Sequence, residues 1–312
     1  MESRNTVEQE AVKKTTGNYM HWYYIVDSKP IIYDAEIGTY MYENNEWKSG
    51  PKDNILQDEW DKLAQKEFDI KFPDLLASFE AFKQETLFIS KHKNAIIKML
   101  FPEILEHNFL HVIEKFSKEE QDKIKKALEM AKKAHENQFR DEWLPYYVHC
   151  ISTAKDYIDQ WWDAVDAIVI LLLHDTIEDN PEEISYEEIK KEFGEDVAKS
   201  VLKLSKVRNG IKMDIDTYYA ELKEDNLNLK RKWFDRLNNL RSLYYNPNEA
   251  KVERYIKETE NVFYPLLENT YPDTVAQMKD IILFLNKKIP LNDMEKNKLN
   301  DFQKVNALKK EI

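Results

Sequence analysis

Glycine occurs five times and cysteine once in this 312-residue chain. Long stretches rich in Lys, Glu, Leu, Ala and Ile take the place of glycine, and they predict a mainly α protein. Cys150 is alone, so an intrachain disulfide is excluded. Long apolar runs are missing too. The longest notable one, Ala167 to Leu173, falls far short of the ~20 residues that span a bilayer. The polar N-terminus, MESRNTVEQE, lacks the apolar core of a signal peptide. These absences predict a cytoplasmic protein with no membrane partner. Positive charge is also in deficit, with a formal net charge of −12. A nucleic-acid polymer needs a broad basic surface and is excluded as a partner, whereas a small anionic ligand needs only a local basic pocket.

Hydrophobic residues make up 42% of the chain, enough for a substantial core. Residues 1–18 read as a flexible N-terminus. From His21 to Trp47 aromatic and β-branched residues crowd between turn signals at Asp27–Pro30 and Asn44-Asn45, predicting a small β-meander of two or three strands. From Asp58 to about Phe116 the pattern is helical and carries no motif. His107 and His111, four apart on that stretch, read as surface residues. Residues 19–116 therefore form an N-terminal extension, to which the sequence assigns no partner.

Residues 117–288 read as one helical domain. Ser117 and Glu120 spell a capping box that opens a helix to about Glu136. Pro145 starts a second helix, carrying His149 and Cys150. A third, DAVDAIVILLLHDTIED, capped by Asp163, is apolar enough to lie at the domain centre. Helices over Glu187–Phe193 and Glu195–Arg208 are split by Gly194. The helix through NLKRKWFDRLNNLRSL ends before Asn246-Pro247, and two more follow, around Lys251–Leu267 and Thr274–Asn286. The tail, 289–312, is charged and read as frayed.

Several separated residues in this domain can bind a metal. His149 lies on the second helix, His174 and Asp175 at the end of the most hydrophobic one, and Asp235 on a later one. Imidazoles with carboxylates suit Mn, Fe or Zn and leave positions open for water and a phosphate oxygen. Glu178 and Asp179 follow His174 and Asp175 by one turn, and carboxylates there can deprotonate a water. Asn239 lies one turn after Asp235. Lys230, Arg231, Lys232, Arg236 and Arg241 make this the most basic helix of an acidic chain. Singly, each feature has an ordinary explanation: a satisfied core histidine, a polar helix end, a solvated basic face. Their order and spacing together carry more.

The segment AKKAHENQFRDEWLPYYVHCISTA resembles the first motif of RelA/SpoT hydrolase domains, approximately A-x-x-A-H-x-G-Q-x-R, then P-Y-x-x-H-P. LLLHDTIED is similar to L-L-H-D-T-x-E-D, and KWFDRLNNLRSL to K-x-A-D-R-x-x-N-L-R-x-L. The resemblance implies an HD-domain helical bundle with His149, His174, Asp175 and Asp235 as metal ligands. It implies Glu178 and Asp179 as the water-activating pair and Arg140 and Asn239 as substrate contacts, to which the basic helix adds Lys232 and Arg236. The implied cofactor is a divalent metal, Mn first, with Fe or Zn as alternatives. The implied reaction removes pyrophosphate from the 3′ position of the small nucleotide (p)ppGpp. A phosphatase of another nucleotide such as NADPH, or a non-catalytic nucleotide-binding module, are the competing readings.

Departures from the pattern leave these ligand positions intact. Asn137 stands where the family prefers Gly, Cys150 where it prefers Pro, and Trp143-Leu144 where it prefers Gly-Glu. Asp141 occupies the place of a basic residue. No synthetase half follows the hydrolase-like segment, so the expected kinship is with stand-alone small alarmone hydrolases that have gained an N-terminal extension.

Overall fold

The computed structural model describes residues 21–26, 29–50, 61–63, 68, 72, 74–160, 164–208 and 210–310. The expected flexible N-terminus, the Asp27-Ser28 part of the first turn and the Asp163 cap lie outside them. The chain divides into two compact units, residues 1–91 and 92–312.

The first unit holds more strand than expected. β1 (His21–Val26), β2 (Lys29–Asp34), β3 (Gly38–Glu43), β4 (Glu46–Ser49) and β5 (Asp61–Leu63) form an antiparallel sheet in the order β4-β3-β2-β1-β5. β5 falls where a helix was expected and pairs with the free edge of β1. That edge would otherwise present unpaired backbone groups. Asn44 and Asn45 both take positive φ, 53° and 65°, as a tight hairpin turn between β3 and β4 requires. Ile32 on β2 and Phe79 on helix α1 (Leu75–Ile97) are fully buried and share a core with Phe68 and Leu75.

The second unit is helical. α2 (Pro102–Val112) buries Leu105 and Phe109, while His107 and His111 are exposed as expected. α3 (Lys118–Ala134) opens on the anticipated capping box, with Ser117 and Glu120 bonded reciprocally. α4 (Tyr147–Asp159) and α5 (Val165–Leu173) follow. Every residue from Ala167 to Leu173 is buried, and α5 packs against α3, α4 and α8 (Glu195–Leu204). Each such Ile, Val or Leu contributes roughly 1.5–3 kcal/mol of burial, so this short element anchors the bundle.

The helix expected through LLLHDTIED is not continuous. It breaks at His174-Asp175, and a single turn, α6 (Thr176–Asp179), resumes after it. His174 Nδ1 donates to the Leu171 carbonyl and Thr176 Oγ1 to that of Leu173, taking acceptors that the next turn would have used. α7 (Tyr186–Phe193) and α8 meet at Gly194, whose φ of 94° ends one helix and admits the next. α8 stops at Leu204, short of the expected Arg208, and a two-residue hairpin forms from β6 (Val207–Arg208) and β7 (Ile211–Lys212). Arg208 is drawn out of the helix by bonds to the carbonyls of Leu202 and Lys203.

α9 (Ile215–Lys223) leads into α10 (Asn226–Ser242), capped by Asp225, which crosses α4 and α5. α11 (Glu249–Glu258), a π turn (Thr259–Phe263) and α12 (Tyr264–Leu267) replace the single helix expected there. α13 (Pro272–Asn286) precedes the tail, which is not frayed. It forms α14 (Asp293–Lys310) because Glu295 is buried, bonded to the Asn292 amide and paired with Lys93.

Candidate metal centre

α4, the α5–α6 break and α10 converge on one point, and each brings an expected residue to it. His149 Nε2 lies 3.2 Å from His174 Nε2 and 3.1 Å from Asp235 Oδ1. His174 Nε2 lies 3.1 Å from Asp175 Oδ2 and 3.6 Å from Asp235 Oδ1. Both histidines are buried, on apolar helices, where ionisable groups are costly unless compensated.

The tautomers follow from the other ring nitrogens. His174 Nδ1 faces the Leu171 carbonyl at 2.7 Å, and a carbonyl can only accept, so this nitrogen carries the proton. His149 Nδ1 likewise donates to Asn238 Oδ1 at 2.8 Å. Neutral rings so oriented turn two bare Nε2 lone pairs toward each other and toward two carboxylates. That arrangement repels itself unless a positive charge sits among the four. Burial works against an imidazolium at His174, yet Asp175 and Asp235 outweigh it and hold the ring up to about 10. Against the same burial, the histidines, and Lys232 at Asp235, keep both carboxyls well below their usual range.

A divalent cation answers this demand. Ligands about 2.1 Å from a metal stand about 3 Å from one another when adjacent, close to the separations here. His149, His174 and Asp235 form the tightest group, and Asp175 joins through its contacts to both rings. The four residues therefore fit a metal.

Around this point lies a cavity of about 300 Å³, lined by Arg140, Asp175, Glu178, Asp179, Lys232, Asp235, Arg236 and Asn239 among others. Glu178 Oε2 accepts the Lys206 backbone N–H at 2.5 Å, and Asp179 Oδ2 accepts from Gln138 at 2.9 Å. Burial and the neighbouring Asp175 push the Asp179 carboxyl up, toward holding a proton nearer neutrality. Five cationic and five acidic side chains line the cavity, so a bound divalent ion would leave it net positive inside an acidic protein. Such a surplus suits an anionic ligand.

The basic residues divide. Lys232 is turned inward onto Asp235 Oδ2 at 2.7 Å, where it orients that carboxylate while still bordering the cavity. Arg236 pairs with Glu258 at 3.0 Å and lies 4.1 Å over the Phe263 ring, contributed by the π turn. Asn239 bonds Asp235 through its Nδ2, and its Oδ1 accepts from Arg140 at 2.6 Å. Arg140 is also held by Glu142, 2.7 Å away. Glu142 thus brings to the loop a carboxylate that Leu144, two positions on, lacks. Trp143 adopts a φ of 69°, which makes sense of a preference for glycine at that position.

Besides Asp141, noted above as a departure from the family pattern, six lining residues, Phe139 among them, were not anticipated as site residues. Tyr146 donates to Asp175 Oδ2 at 2.8 Å and sits three residues before His149, a spacing that placed it on the same helical face. Gln138 stood inside the first quoted motif segment, and Lys206 in the stretch between the second and the third. The Lys206 ammonium lies 5.7 Å from the Tyr218 ring, and burial, followed by repulsion from Lys232, lowers its pKa. Lys251 and Tyr255 stood in a stretch to which the sequence assigned a helix but no site role.

The HD domain family model matches residues 127–270. A guanosine-3′,5′-bis(diphosphate) 3′-pyrophosphohydrolase of Aquifex aeolicus is 35% identical over 152 residues, covering 46% of this chain and 21% of the relative. A probable enzyme of the same name from Mycoplasma genitalium is 32% identical over 179 residues, 51% of this chain and 24% of that one. A probable GTP diphosphokinase, RSH3, of Arabidopsis thaliana is 32% identical over 193 residues, 52% and 26% respectively. The chain spans about a fifth to a quarter of the length of these curated relatives. Among solved structures, a metazoan ortholog of SpoT aligns with a TM-score of 0.45 at 21% identity, over 54% of this chain and 97% of that one. Residues 127–270 thus match an HD domain, and about half of this chain is similar in sequence to enzymes named as guanosine-3′,5′-bis(diphosphate) 3′-pyrophosphohydrolases.

Proposed function

We propose that this chain is a metal-dependent phosphohydrolase that removes pyrophosphate from the 3′ position of (p)ppGpp, leaving GDP or GTP. The observation that carries the reading is the pair of bare imidazole nitrogens facing two carboxylates on the wall of a cavity that cations also line. His149, His174, Asp175 and Asp235 would hold the ion, Mn first, with Fe or Zn as alternatives. Bound there, it would supply Lewis-acid polarisation of a phosphoryl oxygen and of water. Glu178 and Asp179 border the space beside the ligands and are the groups to receive the water's proton. Arg140, fixed by Glu142 and Asn239, offers a planar guanidinium for a base or a phosphate. Lys232, Arg236 and Lys206 balance the ligand's negative charge. The names of the Aquifex and Mycoplasma relatives support the choice of substrate. A cytoplasmic location is part of the same reading.

The test is turnover of ppGpp by the full chain with Mn, reading released pyrophosphate directly, beside a panel that includes NADPH. Pyrophosphate release that stops on chelation is the expected result. Phosphate release from NADPH with none from ppGpp would replace the substrate. No turnover anywhere in the panel would favour a binding module.

A further inference from the structure

Asp141 and Lys251 meet at the cavity, 110 residues apart in the chain, with Lys251 Nζ 2.8 Å from Asp141 Oδ2. Asp141 comes from the hairpin that carries Arg140, Lys251 from the first turns of α11, and both line the cavity. Their neighbours are held differently. Arg140 is bonded to Glu142, Asn239 and Ser242, and Lys232 to the buried carboxylate of Asp235. The Lys251 ammonium has Asp141 as its one carboxylate partner within 4 Å among the described residues, and it lies 5.6 Å from the Tyr255 ring. The Asp141 side chain is 58% exposed and that of Lys251 20%, so the pair sits at the rim with its carboxylate toward solvent.

An ion pair of that kind is weakly favourable and readily exchanged. A phosphate brings more negative charge and more acceptor oxygens than one carboxylate. We propose that Lys251 is a recognition residue for the anionic group of the ligand and that Asp141 is its internal competitor. An entering phosphate takes Lys251 from Asp141, and the displaced carboxylate turns to solvent. Lys251 thereby supplies, from a distant helix, a cation that position 141 itself does not. The pair sets how tightly the site holds phosphates. The inference rests on the reading of this cavity as a phosphorylated-nucleotide site.

The test is isothermal titration of GDP into the Mn-loaded full chain, as wild type, Asp141→Asn, Lys251→Met and the double variant, with matched thermal melts. Asp141→Asn should bind GDP about fivefold tighter at low salt, the scale of one exposed ion pair. The gain should shrink as salt rises. Lys251→Met should bind more weakly than wild type, and adding Asp141→Asn to it should restore nothing. Unchanged or weaker binding by Asp141→Asn overturns the proposal, as does a gain that persists without Lys251, or no GDP binding by any of the four. A wild type that binds GDP yet leaves ppGpp intact would strike down the hydrolase reading while this comparison still decides the pair.

Discussion

At the scale of single residues, Asn239 ties the two halves of the site together. Its amide nitrogen bonds the carboxylate of Asp235 while its amide oxygen holds the guanidinium of Arg140. The ligands and the carboxylates beside them should separate cleanly by experiment. His174→Ala or Asp235→Ala should lose both the metal and turnover. The rise in melting temperature that Mn gives the wild type should vanish with them, because an ion stabilises only the state that binds it. Wild-type turnover by both variants would remove the site from these residues. Glu178→Gln should keep about one metal per chain by elemental analysis yet lose ~10²–10⁴ of the rate, the usual contribution of a general base. Loss of metal in that variant would make Glu178 a ligand. The candidate ligand residues could be named from the sequence by the order and spacing of His149, His174-Asp175 and Asp235 together, and the structure brings these residues to one point. The Lys232–Asp235 pair was less legible, since three-residue spacing shows two side chains to be neighbours but not which other group each one serves.

Elements show where local patterning reaches and where it stops. The capping boxes at Ser117 and Ser185 and the break at Gly194 act over four residues or fewer, and such signals survive folding unchanged. The interruption at His174-Asp175 is different. There the helix gives up backbone bonds to side chains of the site, and hydrophobic periodicity does not register the exchange. In the β unit, Asp34 and Lys83 form an ion pair whose side chains are 0% and 1% exposed, joining β2 to α1. Asp34 also accepts from the Glu36 and Ile37 amides. Asp34→Ala would leave a buried ammonium without that partner and should cost about 3–5 kcal/mol by denaturant unfolding, whereas a surface-like cost below 1 kcal/mol would show the pair to be dispensable. Burial pushes the Asp34 carboxyl up, but Lys83 and the two amides outweigh it and hold it below its ordinary value of 3.8. Its folded pKa being the lower one, its contribution is complete above 3.8 and is lost as pH falls through the depressed value. Acid titration of this unit, followed by the fluorescence of Trp47, should therefore show a step that Asp34→Asn removes.

For the whole molecule, the boundary of the helical unit is the feature open to the simplest test. The sequence reading began the catalytic domain at residue 117, where the capping box stands. In the structure α2 packs on α4, the helix that carries His149, burying Leu105 and Phe109, and Glu106 reaches Lys132 of α3 at 2.9 Å. A chain beginning at His92 should bind metal and melt cooperatively, while one beginning at Ser117 should expose the α2-facing side of α4, melt at a lower temperature and bind less metal. Equal melting and metal content in the two would show α2 to be dispensable. The sequence by itself determined the mainly helical class, the order of the motifs and the residue types gathered at the candidate metal centre. Each of those is carried by local composition and spacing, which the chain has before it folds. Only the tertiary structure decided what those residues do with one another. The facing Nε2 atoms of His149 and His174, the inward turn of Lys232, the arrival of Lys251 at Asp141 and the burial of Glu295 in the last helix all join residues that local pattern does not connect. Packing of the helices closes those distances, and no periodicity in the sequence records them.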